Sequence, residues 1–452
     1  MTGPALRLLR HDEATRPFAR RGVQTLSVGR FLHDVACLAE ALPAGKPIAN
    51  LCQDRYRFAV GFAAALSRGC VTLLPPSDIP AVLHAMLAGY PDALCLTDTA
   101  QPDGLACLDY PKLPPQGSHR RVSPWFGANQ LAAILFTSGS TGQPQPYPRS
   151  WGLLVSSALS AGREIGAPPG ASLIGTVPHQ HSYGLESLIM LALQHGLVLQ
   201  AERPFFPHDI IAVLSKVPPP RILVTTPVHL KLLLAESQTL STLSTLSTQP
   251  TLPTLDLVLS ATAPLEPSLA IAAEEGFAAP VHEIYGCSEI GQLASRRTLH
   301  GDEWRCLDGF SLRQNGSATW ATSHGCETGL ADIIELRDSR HFRLLGRSTD
   351  LVNIAGKRSS LAALAAHLCA IDGVADGVFV TAGVSQLGRQ YLEAYVVAPG
   401  RTQAGLLAHL RLRIDPVFLP RRLHLVPALP RNPLGKLTQA ALWQLQREDQ
   451  ES

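Results

Sequence analysis

At 452 residues the chain exceeds what one hydrophobic core usually serves, so two or three domains are expected. Apolar residues make up 46% and charged ones 16%, which excludes a disordered chain, and a net charge of +2 leaves no electrostatic footprint for nucleic acid. Nine scattered cysteines show neither a C-x-x-C pair nor zinc spacing and are expected to be reduced and mostly buried. No apolar run approaches the ~18 residues of a membrane span, and charges interrupt Met1 to Arg21 where a signal peptide would be apolar. A cytoplasmic location is expected.

The N-terminal third alternates between helix and strand. Phe31, Val35, Leu38, Ala39 and Leu42 recur at helical spacing within Val28 to Leu42. Pro47 to Cys52 reads as a strand, Phe58 to Leu66 as a helix, and Val71 to Leu74 as a strand halted by Pro75 and Pro76. Such βαβα order predicts a parallel sheet with helices on both faces. Leu131 to Leu135 is an apolar run suited to a buried strand, and six small residues follow: Thr137, Ser138, Gly139, Ser140, Thr141 and Gly142. Their N–H groups and hydroxyls stand unobstructed, as a loop that wraps phosphate oxygens requires. A flexible Ser/Gly linker is the alternative, and the Walker spacing is absent.

Trp151 to Ile165 reads as a helix, Leu173 to Val177 as a strand, and Leu185 to His195 as an apolar helix. Between them, Pro178 to Gly184 holds His179 and His181, with no third ligand nearby to make a metal site. Arg221 to Thr225 is expected to be a strand and Val228 to Ala235 a helix, while the repetitive Ser237 to Leu255 reads as a surface loop. Asp256 to Leu265 is a strand entering a turn of small residues, and Val281 to Ile290 carries Tyr285, Gly286, Cys287, Ser288 and Glu289. Asp332 precedes Gly346-Arg347 by one hairpin-like stretch. From Asn353 onward the pattern is mixed: helix (Ser360 to Ala370), strands (Gly377 to Thr381, Tyr391 to Val397), helix (Thr402 to Arg413), then Pro430 to Leu437 around Lys436.

Five of these segments, in this order, resemble motifs of the acyl-adenylate-forming superfamily of acyl-CoA synthetases, adenylation domains and luciferases. Thr-Ser-Gly-Ser-Thr-Gly-x-Pro (137–144) is similar to its phosphate loop, and Ala263-Pro264 to its segment near the adenine. Tyr285-Gly-Cys-Ser-Glu289 resembles Tyr-Gly-x-Thr-Glu, which implies Tyr285 and Gly286 on the adenine, Ser288 at the α-phosphate and Glu289 on Mg²⁺. Asp332 and Arg347 match the ribose aspartate and the Gly-Arg element, and Lys436 the lysine that bridges carboxylate and α-phosphate. His181 matches the histidine of Pro-x-x-His-x-x-Gly, a wall or gate of the acyl pocket, with a structural histidine as the alternative. The chain departs from the pattern at three places. Gln145 and Pro146 replace Lys-Gly, Thr349 stands at the hinge aspartate, and Asn432 replaces a threonine. The missing lysine removes a charged contact worth roughly 1.5–3 kcal/mol.

The resemblance implies an α/β fold: a large N-terminal domain (1–347) of parallel and mixed sheets with flanking helices, and a small mobile α+β domain (348–452). It further implies ATP and Mg²⁺ as cofactors and a two-step reaction. A small carboxylic acid forms acyl-AMP, then a phosphopantetheine thiol of a carrier protein or of CoA displaces AMP. Narrower similarity, in Pro178 to Glu186, Arg203 to Asp209, Thr225 to Leu230 and Asn353 to Ser360, points to the short AMP-ligases of aryl polyene and xanthomonadin-type pigment pathways. Those imply an aryl, hydroxybenzoate-type acid and an acyl carrier protein as partner. Free-CoA ligation and a non-catalytic, nucleotide-binding descendant are the alternatives. Between Arg401 and Gln446, seven basic residues face one acid, Asp415, a stretch suited to an acidic carrier.

Overall fold

Helix starts in the N-terminal half follow from local capping chemistry. Ser27 accepts a hydrogen bond from the backbone N–H of Arg30 and opens Val28–Ala41; Asp54 accepts from Arg57 and opens Arg55–Ser67; Ser150 accepts from Leu153 and opens Trp151–Glu164. The structure is a computed structural model. It describes every residue except 1–3, 77–78, 117–121, 139–143, 244–251, 288, 317, 324–325, 348–350, 355–356, 385–389, 432–436, 438–440, 443 and 446–452. Two compact units result: residues 1–301 with 305–310, and residues 302–304 with 311–452. The hairpin bearing Asp332 and Arg347 packs in the second unit, so the division expected after Arg347 stands as a proposal about a pivot.

Besides a two-stranded pairing of Ala5–Arg7 with Trp125–Gly127, the first unit contains two large sheets. One runs in the order Pro144–Ser150, Leu131–Ser138, Thr72–Leu74, Ile48–Asn50, Leu94–Thr97, Cys107–Asp109, parallel throughout except for its first strand. The other runs Gly291–Arg297, Val281–Cys287, Leu257–Ser260, Arg221–Thr225, Ser172–Gly175, Val198–Gln200, Pro17–Arg21, Gln24–Ser27. It is parallel in its interior and antiparallel at both of these ends. Strands covered on both faces read as continuous apolar runs, which is why Ala132 to Phe136 is buried without alternation.

Alternation within the second sheet sorts the cores. Val224 and Leu259 face the cluster formed with Phe31, Phe58, Phe62 and Trp151, while Leu223 and Val258 face a cluster with Ile210, Leu230 and Phe277. Helix Arg55–Ser67 is buried nearly all round, as an apolar helix between layers should be. Burying Phe58 and Phe62 contributes roughly 1.5–3 kcal/mol each.

Several elements differ from the sequence expectation. Pro80–Leu87, Leu94–Thr97 and Cys107–Asp109 are regular elements too short to show a period. The helix expected over Leu185 to His195 is preceded by a turn at Ser182–Gly184 and begins as a π-helix, Leu185–Met190, before continuing as Leu191–His195. The stretch read as a loop from Ser237 begins as the end of helix Pro227–Leu243, and its far end buries Leu252 and Leu255 in the second core cluster. Tertiary packing overrides the weak local pattern there. Of the eight described cysteines, all free, Cys52, Cys70, Cys95 and Cys306 are buried and the rest half-buried. Among the described residues no helix is long and apolar enough to cross a membrane.

In the second unit, Asp332–Leu336 and His341–Arg347 form an antiparallel hairpin. A separate sheet pairs Asp376–Val384 antiparallel and Arg422–Leu425 parallel to Gln390–Val397, packed with helices Leu361–Cys369 and Gln403–Arg411 around Phe379, Leu392 and Leu410. That is the α+β arrangement expected for the C-terminal part.

Candidate active site

Thr137 and Ser138 end strand Leu131–Ser138, and the chain returns antiparallel, with Gln145 opposite Thr137 and Pro144 opposite Ser138. Gly139, Ser140, Thr141 and Gly142 lie outside the described residues. Proline at 144, 146 and 148 strips N–H donors from one side of this edge strand, which blocks a further strand from adding there.

The Tyr285 segment is a hairpin of Val281–Cys287 against Gly291–Arg297, with a register shift between Tyr285 and Gly286. Glycine is obligatory at two of its positions. A Cβ on Gly286 would overlap the carbonyl oxygen of Gly291, and Gly291 itself sits at φ +86 with the Glu186 carboxylate 2.7 Å from where a Cβ would be. Tyr285 is buried and Glu289 is exposed near the tip; Ser288 lies outside the described residues. The Glu289 backbone is tied to the returning loop strand, because Arg149 Nη1 donates to its carbonyl oxygen at 3.2 Å. No cluster of three His, Cys, Asp or Glu forms among the described residues. A lone exposed carboxylate suits Mg²⁺, which keeps waters and takes its other ligands from phosphate.

Next to this hairpin, Ser260 is in register with Glu283, and the following turn holds Thr262 at φ +81. The buried Glu283 carboxylate fixes that turn by accepting from Leu265 N at 3.1 Å, and it also accepts from Arg296 Nε at 2.6 Å and Thr298 Oγ1 at 2.7 Å. Ala263 is half-buried and Pro264 exposed, both directly after the strand end.

The two histidines of Pro178 to Gly184 separate sharply. His179 is fully buried, its Nε2 2.8 Å from the Cys52 carbonyl oxygen and its ring against Phe58; burial, then Arg55, pushes its pKa down to about 3. It is a neutral core histidine. His181 is half-buried at the turn before Ser182. Gly184 is required because a Cβ would overlap the Pro178 carbonyl.

Sequence reasoning missed the charged residues that join these pieces. Arg149 and Glu186 are each only 2% exposed. Glu186 accepts from Ser182 Oγ at 2.7 Å, Ser157 Oγ at 2.8 Å and the Gln292 backbone N–H at 3.1 Å, and Gln292 Nε2 in turn reaches Ser187 Oγ at 2.5 Å. The available signal was an acid inside a mostly apolar run, Leu185 to Met190. Arg55 is buried too, donating to the carbonyls of Glu202, Gly175 and Val177 at 2.5–3.0 Å. It is a staple between strand ends.

Two cavities of the first unit lie elsewhere. One of about 180 Å³ is lined by Asn50, Cys52, Leu83, Thr97, Thr99 and Gln180, and an open one of about 510 Å³ by Arg57, Asp98, Asp109 and Tyr110 among others. Neither is lined by Tyr285, Glu289 or His181.

In the second unit Asp332 and Arg347 are direct register partners across their hairpin, and Asp332 is 9% exposed. Lys436 lies outside the described residues, while Arg431 and Leu437 on either side of it form an antiparallel bridge. Arg431 is held by both carboxylate oxygens of Asp376, at 2.6 and 2.7 Å, and so leaves the exposed basic set. Arg401, Arg411, Arg413, Arg421 and Arg422 remain exposed.

A model of the AMP-binding enzyme family matches residues 10–323, and the chain belongs to that family. Its class is the AMP-forming acid–thiol ligases. It is 26% identical over 311 residues to a 4-coumarate–CoA ligase of Halorhodospira halophila, covering 67% of this chain and 73% of that one. It is 27% identical over 342 residues to a probable 2-succinylbenzoate–CoA ligase of Mycobacterium tuberculosis (strain CDC 1551 / Oshkosh), covering 70% and 84%. The fold is shared with ATP-bound MatB from Rhodopseudomonas palustris, at TM-score 0.79 and 18% identity over 97% of each chain. It is likewise shared with o-succinylbenzoate CoA synthetase from Bacillus subtilis in complex with ATP and magnesium ion, at TM-score 0.78 and 16% identity over 96% and 98%.

Proposed function

We propose that the chain uses ATP to convert an aryl, hydroxybenzoate-type acid into its acyl-AMP, then passes the acyl group to the phosphopantetheine thiol of an acyl carrier protein in aryl polyene or xanthomonadin-type pigment biosynthesis. The observation that carries the reading is the Arg149 contact to Glu289. It joins the strand returning from the phosphate-loop segment to the turn bearing the carboxylate suited to magnesium. The aromatic acids in the names of the relatives, 4-coumarate and 2-succinylbenzoate, support an aryl substrate.

In this reading the amides of 137–142 hold the phosphates, Tyr285, Gly286 and Ala263-Pro264 hold the adenine, Ser288 meets the α-phosphate, and Asp332 with Arg347 holds the ribose. An aspartate accepts from both ribose hydroxyls and an arginine fork suits ribose and phosphate oxygens. Glu289 would hold Mg²⁺, which neutralises charge on the phosphates. The acid's carboxylate oxygen attacks the α-phosphorus and the bond to pyrophosphate breaks; Lys436 steadies the charge that develops. His181 bounds the acyl pocket. The C-terminal domain, 348–452, then pivots at Thr349, withdrawing Lys436 before the thiol attacks.

The test is pyrophosphate exchange across a panel of aryl and aliphatic acids, with exchange expected for aryl acids. ATP binding without exchange for any acid would instead support the non-catalytic reading. Free CoA as acceptor is the second reading, favoured by the CoA ligase names of the relatives. The five exposed arginines between 401 and 422 favour an acidic carrier. Charge reversal at Arg411 or Arg422 should raise the apparent KM for holo-carrier, less so near molar salt, and leave adenylation unchanged. Faster acylation of CoA than of any holo-carrier at low salt would decide for CoA.

A further inference from the structure

Three candidate motifs, remote in sequence, meet at two buried side chains of opposite charge. Arg149 belongs to the strand returning from the phosphate-loop segment, Glu186 to the π-helix that follows His181, and Glu289 to the hairpin turn. Arg149 donates through Nη1 to the Glu289 carbonyl at 3.2 Å and to the Pro148 carbonyl at 3.1 Å. Glu186 Oε2 accepts from the Gln292 N–H and from Ser157 Oγ of helix Trp151–Glu164, while Oε1 accepts from Ser182 Oγ. The turn is thus held at Glu289 from one side and at Gln292 from the other. Room for the carboxylate exists because residue 291 is glycine. Burial lowers the pKa of Arg149, and Glu186 is the largest charge opposing that shift.

Pure core packing does not account for this arrangement. A buried carboxylate that only filled space would be replaceable by an apolar side chain, and every bond that Glu186 makes goes to an element flanking the candidate site. The two oxygens divide their work: Oε1 serves the His181 side, Oε2 the hairpin and the helix behind it. We propose that Arg149 and Glu186 are a pair of positioning residues that set the Glu289 turn relative to the phosphate-loop strand and the His181 segment. The inference rests on the adenylation reading for its catalytic consequence, and on the structure alone for its effect on the turn.

Three variants test it: Glu186→Gln, Ser182→Ala and Arg149→Gln. Glutamine keeps the shape of Glu186, and the two hydroxyls can reorient toward its amide. The backbone N–H of Gln292 cannot, so the hairpin side has to compete for a single acceptor oxygen. Hydrogen exchange of the amides at 286–292 is measured on ligand-free protein, with the amides of helix Arg55–Ser67 as internal control. Glu186→Gln should speed exchange at 286–292 by about tenfold, the scale of one charged hydrogen bond, with the control unchanged. Ser182→Ala, which touches only Oε1, should leave 286–292 near wild type, and so keeps the test alive if Glu186→Gln fails to fold. Arg149→Gln should act on the same amides, and its combination with Glu186→Gln should be less than additive.

In pyrophosphate exchange, Glu186→Gln should raise the apparent KM for Mg·ATP by about tenfold while acyl transfer from preformed acyl-AMP stays near wild type. Wild-type exchange rates at 286–292 in both Glu186→Gln and Arg149→Gln would overturn the proposal. So would a uniform speeding that includes the control helix. Faster exchange at 286–292 in a protein that shows no pyrophosphate exchange with any acid would uphold the positioning role and reject the adenylation reading.

Discussion

Two regions of the molecule use charge in opposite ways. Around the first unit's hairpin the ions are buried: Arg149, Glu186 and Glu283 are 2–3% exposed, and each holds backbone groups of other elements. Along the second unit's strands between 303 and 347 they sit in solvent. Arg313–Glu327 at 2.6 Å, Arg337–Glu303 at 3.0 Å and Arg343–Asp302 at 3.2 Å all join side chains 38–67% exposed. The distances hardly separate the two groups; solvent does. An exposed pair exchanges one set of hydrated contacts for another and loses side-chain freedom, whereas a buried ion that loses its partner has nothing to replace it.

The largest effect should therefore come from Glu283→Ala. It removes the shared acceptor of Arg296 Nε, Thr298 Oγ1 and the Leu265 N–H together, and a loss of about 3–5 kcal/mol is expected in the unfolding free energy from urea titration. A drop no larger than that of an exposed pair would erase the contrast between the two regions. Lys436→Ala probes whether the second unit holds a charge whose partner is substrate rather than protein. It should lower acyl-AMP formation by about 10² and leave transfer from preformed acyl-AMP nearly intact. Equal loss in both half-reactions would remove Lys436 from the first step.

An acid titration separates the units at the next level. His179 is neutral in the folded protein, with its pKa pushed down to about 3 from an ordinary value of 6.5, and burial lowers His195, His229 and His282 as well. Between those two values the unfolded chain binds more protons, so stability falls as pH drops below 6.5 and its full contribution is present above that pH. Replacing His179 with Gln should flatten the pH dependence of the unfolding midpoint between pH 6.5 and 4, and an unchanged slope would contradict the neutral assignment. Gln145→Lys is expected to tighten ATP only modestly, because the loop amides are present in either case; isothermal titration would show it. At the small end, Arg313→Gln should leave the thermal midpoint of the second unit within error, since its partner Glu327 is equally solvated.

Motifs that touch a ligand through their own residue type are legible in the amino-acid order alone. Tyr285, Glu289, Asp332 and Arg347 supply the aromatic face, the hard carboxylate and the ribose clamp that the proposed site would need, and the hairpin expected between Asp332 and Arg347 pairs those two residues directly. The glycines are legible as motif letters without their reason. Only the fold shows Gly286 pressed against Gly291 and Gly184 against Pro178. His179 and His181 look alike in sequence, and the fold separates them by burying the first against Phe58.

The sequence by itself determined the α/β order, the helix starts at Val28 and Trp151, and the chemical inventory of the candidate site, because periodicity and motif spacing are local properties; the helix read from Phe58 starts a turn earlier, at Arg55. Tertiary structure alone decided which charges are buried, that the chain stays helical past Ser237, and that Arg431 is spent on Asp376 rather than offered to a partner. It also joined Arg149 to Glu289 and Glu186 to Gln292, pairs 140 and 106 residues apart, at one turn. Burial and long-range contact depend on the whole packed arrangement, and no window of sequence contains them.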